Sequence, residues 1–205
     1  MWDIPARPRS GVKNCHAVGV YSFVFDDDLR MFACLNWTAL AANDYGDTVG
    51  FHNHHRDLTL KPVFGEIENI EITWEDNENG TRPYRLWSWD STLRGGRGRF
   101  TSTEQLHYLK QRTVRTLTQS SRAVSLPWAR LHTIKQTSKQ VGWFVREGEV
   151  GTERETFNFS RNNLRSWHRQ ANFYEELEGD ELWAVWSEVR GYAINARKRN
   201  AGLRD

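Results

Sequence analysis

The stretch Arg99–Thr118, RFTSTEQLHYLKQRTVRTLT, lies near the middle of a chain of 205 residues, and the architecture turns on how it is read. Thr101 and Glu104 have the spacing of a capping box, in which a hydroxyl and a carboxylate satisfy each other's exposed backbone donors at a helix start. Leu106, Leu109, Val114 and Leu117 then recur as a partial apolar face. The spacing predicts a central helix that carries Lys110, Arg112 and Arg115, with Arg122 following it.

Immediately upstream the chain reads Arg94, Gly95, Gly96, Arg97, Gly98, Arg99. Glycines let a backbone approach a phosphate closely, arginines supply forked donors, and a helix start presents unpaired N–H groups of positive polarity. Further upstream, Arg85, Trp87 and Trp89 would share one face of a strand over Tyr84–Trp89. Trp beside Arg is a platform for stacking unpaired bases, although Trp in a strand more often belongs to the core. Arg85, Trp87, Trp89, Arg94, Arg97, Arg99, Lys110, Arg112, Arg115 and Arg122 are therefore the candidate nucleic-acid surface. The charge distribution points the same way: residues 26–90 hold 13 acidic and 5 basic side chains, whereas residues 91–146 hold 11 basic and one acid, Glu104.

On either side of this centre the pattern is mixed. Val18, Val20 and Val24 alternate with Tyr21, Phe23 and Phe25, and Leu29–Leu35 can return after the turn Asp26–Asp28 as a hairpin partner. Ile70, Ile72 and Trp74 pair in the same way with Tyr84–Trp89, and Val141–Arg146 with Arg154–Phe159. Ser160 caps a predicted helix with the stripe Leu164, Trp167, Ala171, Tyr174. After Gly179 a second stripe reads Leu182, Val185, Trp186, Val189, with Arg197, Lys198 and Arg199 in its last turn. The fold class expected is α+β: antiparallel β-hairpins or sheet with a central helix and a C-terminal helical hairpin. It forms a single domain over residues 1–205, with an extended arm at 1–14 and the helical hairpin at 160–200.

Composition bounds the rest. Aromatic residues make up 13% of the chain, with ten Trp, so a core built from large rings is expected. No apolar run approaches the ~20 residues that span a bilayer, and the N-terminus lacks a basic-then-apolar signal, so a cytoplasmic or other intracellular location with no membrane partner is expected. Cys15 and Cys34 are the only cysteines and read as buried free thiols.

The run Phe51, His52, Asn53, His54, His55, Arg56, Asp57 is the other chemical signal. On a strand His52 and His54 point to one side with metal-ligand spacing, and Asp57 could complete an open site able to activate water. Gly46, His52, His54 and Gly65 resemble the first cupin motif, with Leu58 or Thr59 where that motif has Glu and no second motif downstream. His55, Arg56, Asp57 and Leu58 resemble a protein-kinase catalytic loop, with Pro62 at the position of its Asn and no glycine-rich loop upstream. Neither resemblance assigns a function.

Three readings follow. The first is a non-enzymatic binding protein without cofactor that holds nucleic acid or another polyanion, or an acidic protein surface. The second is a metal-dependent enzyme of hydrolase or nuclease type, with a divalent metal at His52, His54 and Asp57. The third is an assembly component of a virus, phage or other large complex, self-associating through its acidic and basic blocks.

Overall fold

A computed structural model of the chain describes residues 2–41, 50–75, 84–90, 99–151, 156–160 and 174–202. Their strands are β1 Ser10–Lys13, β2 Val20–Val24, β3 Leu29–Cys34, β4 Phe51–His52, β5 Arg56–Phe64, β6 Glu66–Glu75 and β7 Tyr84–Asp90, followed by β8 Arg99–Thr118, β9 Val124–Leu126, β10 Leu131–Gln136, β11 Val141–Val150, β12 Thr156–Ser160 and β13 Glu175–Leu177. One helix, α1, spans Gly179–Asn200. Seven strands form an antiparallel sheet in the order β13-β1-β2-β3-β11-β5-β9, and six close a barrel in the order β10-β4-β12-β7-β8-β6. The architecture is therefore mostly β, not the α+β arrangement expected.

The expected central helix is a strand. Residues 99–118 form β8, which pairs with β7 along its first half and with β6 along its second. Thr101, Thr103, Thr113, Val114, Thr116 and Thr118 explain the outcome, because β-branched side chains lose rotamer freedom in a helix and suit a pleated surface. The supposed helical stripe is not a buried face: Leu106 is 57% exposed and Val114 41%, while Leu117 is buried. The Thr101–Glu104 signal belongs to a bulge opposite Leu86. There Glu104 adopts φ 61°, and the hydroxyls of Ser102 and Thr103 accept from the N–H groups of Glu104 (3.1 Å) and Gln105 (3.3 Å).

The expected C-terminal helical hairpin is likewise replaced. Ser160 ends β12 as a buried residue, and Glu175–Leu177 forms β13 at the sheet edge beside β1. Residues 161–173, which hold most of the first predicted stripe, lie outside the described residues. The pairing of β2 with β3 matches the expected hairpin. The other two hairpins do not form, because β8 separates β6 from β7, and β11 and β12 belong to different sheets.

Alternation along the strands produces three layers. Phe23, Met31 and Phe144 face α1 and pack against Trp186, Val189 and Ala193. Val20, Cys34, Trp143 and Val145 project from the opposite face of the sheet and meet Ile67, Leu117 and Ile134 of the barrel wall. Phe51, Ile70, Ile72, Leu86 and Phe159 form a separate cluster across β4, β6, β7 and β12. The N-terminal segment is fastened to the outer layer: Trp2 lies 5.7 Å from Phe144, and the Trp186 indole donates to the Ala6 carbonyl at 3.0 Å. No helix among the described residues is long and apolar enough to cross a membrane.

Trp186 joins helix, sheet and N-terminal segment, so Trp186→Ala should cost about 3–5 kcal/mol of stability. Urea unfolding of the two proteins measures this, and a loss below about 1 kcal/mol would contradict the packing described.

Candidate metal centre

The barrel wall brings together histidines that are far apart in sequence. His132 of β10 stands directly opposite His52 of β4, so the two side chains leave the same face of the ladder. His54 lies two residues beyond His52 and is held in line by its backbone N–H, which donates to the Trp128 carbonyl at 3.0 Å. One ring nitrogen from each of His52, His54 and His132 lies within 4.8 Å of the others. His16, in the β1–β2 connection, adopts φ 66° and stacks on His52 with ring centroids 5.0 Å apart and planes 11° from parallel.

The hydrogen bonds around these rings decide which nitrogens carry lone pairs. Asn69 donates its amide nitrogen to Glu71 (3.3 Å), which turns Asn69 Oδ1 toward His132 Nδ1 at 2.8 Å. A carbonyl oxygen only accepts, so His132 is protonated at Nδ1 and bare at Nε2. His52 Nδ1 donates to the Gly50 carbonyl at 3.2 Å, which likewise leaves its Nε2 bare. Gly50 can present that carbonyl because it sits at φ 88°, where a side chain would run into the backbone of Phe159. His54 Nε2 lies 2.8 Å from the bare His132 Nε2, so His54 is protonated at Nε2 and donates to it, and a cation at this point would take that proton's place. Metal-binding histidines are oriented in this way, with the second ring nitrogen donating to a carbonyl or carboxylate.

Two cavities meet at the imidazoles. One, of about 180 Å³, runs between sheet and barrel and is lined mainly by apolar side chains including Val20, Leu60, Ile134 and Trp143. The other, of about 330 Å³, is polar and includes Asn53, Arg56, Asn158 and Tyr174. His16, His52, His54, Arg30 and Glu147 line both. Arg30 Nε contacts Glu147 Oε1 at 3.1 Å and Arg56 Nε contacts Oε2 at 3.6 Å, so the carboxylate holds two guanidinium groups near the cavity mouth.

Burial keeps the imidazoles neutral. It pushes His16 down to about 3, aided by the neighbouring His52 and Arg30, and lowers His52 against the opposing Gly50 carbonyl. Burial, reinforced by the surrounding imidazoles, takes His54 and His132 well below the ordinary histidine range. Burial raises Tyr174 well above the usual phenol value, and it pushes both thiols, buried and free as expected, up to about 12.

Of the metal set expected from sequence, His52 and His54 belong to the group and Asp57 does not. The Asp57 carboxylate accepts from the Trp128 backbone N–H at 2.8 Å, and His132 takes the third place. Nothing in the local sequence around His132 marks it, since its role comes from a strand pairing across 80 residues.

The expected nucleic-acid surface is distributed differently. Trp87 is buried, and Arg85 contacts Glu104 at 2.9 Å. Arg115 lies 3.9 Å from Glu71, while Lys110 and Arg122 are exposed. Arg94 and Arg97 lie outside the described residues, as do the side chains of Trp89, Arg99 and Arg112. The acidic strand β6 lies between basic β8 and β10, with Glu71 facing Arg115 and Arg130 and Glu68 facing Lys135. Much of the charge segregation seen along the chain thus reflects complementary neighbouring strands.

No protein-family model matches this chain, and no curated protein matches it.

The lowered pKa values fix an acid response. A histidine that stays neutral when folded but protonates near 6.5 when unfolded leaves stability intact above about pH 6.5 and erodes it as pH falls. Each such ring contributes up to about 1.4 kcal/mol per pH unit. Metal-free protein should therefore lose stability steeply between pH 6.5 and 4, and His16→Asn should flatten the decline. Urea midpoints that do not change over that range would contradict the burial described.

Proposed function

We propose that the chain is a metal-dependent enzyme, hydrolytic in type, built on a divalent ion held by Nε2 of His52, His54 and His132. The observation that carries this reading is the tautomer control: the Asn69–Glu71 pair and the Gly50 carbonyl each occupy an Nδ1 and leave Nε2 as the bare nitrogen, on rings whose ligand nitrogens lie within 4.8 Å of one another and of that of His54. Imidazole sets of this kind suit zinc, copper, nickel or iron. Three protein ligands with further positions open to substrate are characteristic of catalytic centres. The ion would supply Lewis acidity and acidify a water at the cavity junction. In hydrolysis the water oxygen bonds to the electrophilic carbon or phosphorus, the bond to the leaving group breaks, and the leaving group departs with a proton from the water.

The remaining residues suit this task. Among the described residues the buried Nδ1 of His16 has no hydrogen-bond partner, which makes it available to a ligand at the junction. Arg30 and Arg56, steadied by Glu147, favour a substrate or product carrying negative charge. The polyanion-binding reading draws less support, since Trp87 is buried and Arg85 and Arg115 already face carboxylates.

Titration calorimetry with zinc tests the centre. One ion per chain is expected, with affinity weakened at least 100-fold in His54→Ala and His132→Ala and about 10–100-fold in Asn69→Leu, through lost orientation of His132. Asp57→Ala and His16→Ala should retain one ion per chain. Ligand variants that bind zinc as the unaltered chain does would remove the proposal.

A further inference from the structure

We infer that the apolar chamber behind the imidazoles binds a single six-membered aromatic ring whose carboxylate turns back toward the metal and Arg30, so that the substrates are esters or amides of a benzoate-class acid. This inference rests on the metal-centre reading above and adds the identity of the group that the centre acts on.

Size is the first argument. The chamber measures about 180 Å³. A cavity of ~150 Å³ lined by Leu, Ile and Phe is enough to take up benzene. One ring therefore fits with room for its substituent, whereas two fused rings do not. Lining is the second argument. Most of the side chains lining the interior of the chamber are apolar, among them Val20, Phe32, Leu60, Ile134 and Trp143, and besides the imidazoles its side-chain hydrogen-bonding groups are the Trp143 indole N–H, the Thr133 hydroxyl and the Cys15 thiol. Hydroxyls of a sugar or a polar side chain would lose their water partners there, at a cost of roughly 1–3 kcal/mol each. Phe32 and Trp143 also stack on each other, 5.6 Å apart with planes 13° from parallel, and place two aromatic rings in the lining.

Polarity at the mouth supplies the third argument. Where the chamber meets the vestibule the lining changes to His16, His52, His54, Arg30 and Glu147. The bound cation, with Arg30 and Arg56 sharing the one carboxylate of Glu147, leaves this boundary net positive, which suits an anionic oxygen rather than an amine. A ring seated inward with its carboxylate at this boundary meets apolar surface on one side and charge on the other. The polar vestibule of about 330 Å³ then receives the leaving group, so chain-length selectivity on that side is expected to be weak.

The test uses the full chain loaded with cobalt(II), whose visible spectrum reports ligands at the ion. The spectrum before any carboxylate is added tests the metal centre alone, and absence of bound cobalt there would overturn both readings. With cobalt bound, benzoate should perturb the spectrum at concentrations at least tenfold below acetate, and 1-naphthoate should fall back to the acetate level because its second ring exceeds the chamber. Leu60→Phe and Ile134→Phe, each filling the chamber from a different strand, should abolish the benzoate preference while leaving the cobalt spectrum and the acetate response unchanged. Benzoate no tighter than acetate on the cobalt-loaded chain would overturn the inference with the metal centre intact. So would a benzoate preference that persists in both filled variants, or 1-naphthoate binding as tightly as benzoate.

Discussion

The placement of His132 opposite His52 across β10 and β4 is the constraint on which the proposed metal centre depends. Side chains on a strand alternate between faces, so a slip of one residue would send His132 to the other side of the barrel wall and bring Leu131 or Thr133 in its place. On its other side β10 pairs with β6, and that ladder sets Ile134 and Ile67 into the layer between barrel and sheet, where their burial pins the register of β10. A sheet face packed against a barrel wall therefore holds imidazoles in place through the energetics of the surrounding apolar core.

Charge and site geometry are joined at Glu71. Its buried carboxylate sits between Arg115 at 3.9 Å and Arg130 at 3.7 Å, and it accepts from Asn69, which in turn fixes the tautomer of His132. The basic block of the sequence thus has partners inside the fold: Arg115 and Arg130 flank Glu71, and Glu71 aims the amide that faces His132. The same carboxylate that faces the basic neighbours of β6 also fixes the ring of a proposed metal ligand.

The sequence made parts of this legible and hid others for physical reasons. The β2–β3 hairpin could be read because its alternation and turn are local, and the helix after Gly179 because its stripe is sustained. The helix predicted from the Thr101 cap onward failed because the Thr101–Glu104 spacing mimics a cap where Glu104 enters a bulge, and because the apolar spacing of Leu106, Leu109, Val114 and Leu117 coexists with a run of β-branched residues that favours a strand. His52 and His54 were visible from their spacing. His132 was not, since only long-range pairing brings it to them, and Asp57 took its place in the sequence reading by proximity along the chain. Trp87 illustrates the converse: an aromatic beside an arginine looked like a binding surface, but its strand turns it into the protein.

The central claim is that three imidazole nitrogens converge on one cation, and diffraction tests it most directly. Crystals of the full chain grown with cobalt and measured on both sides of the metal absorption edge should give one anomalous peak about 2.0–2.2 Å from the Nε2 atoms of His52, His54 and His132. A peak bound by other residues, or these imidazoles bonded only to one another in cobalt-soaked crystals, would contradict the account.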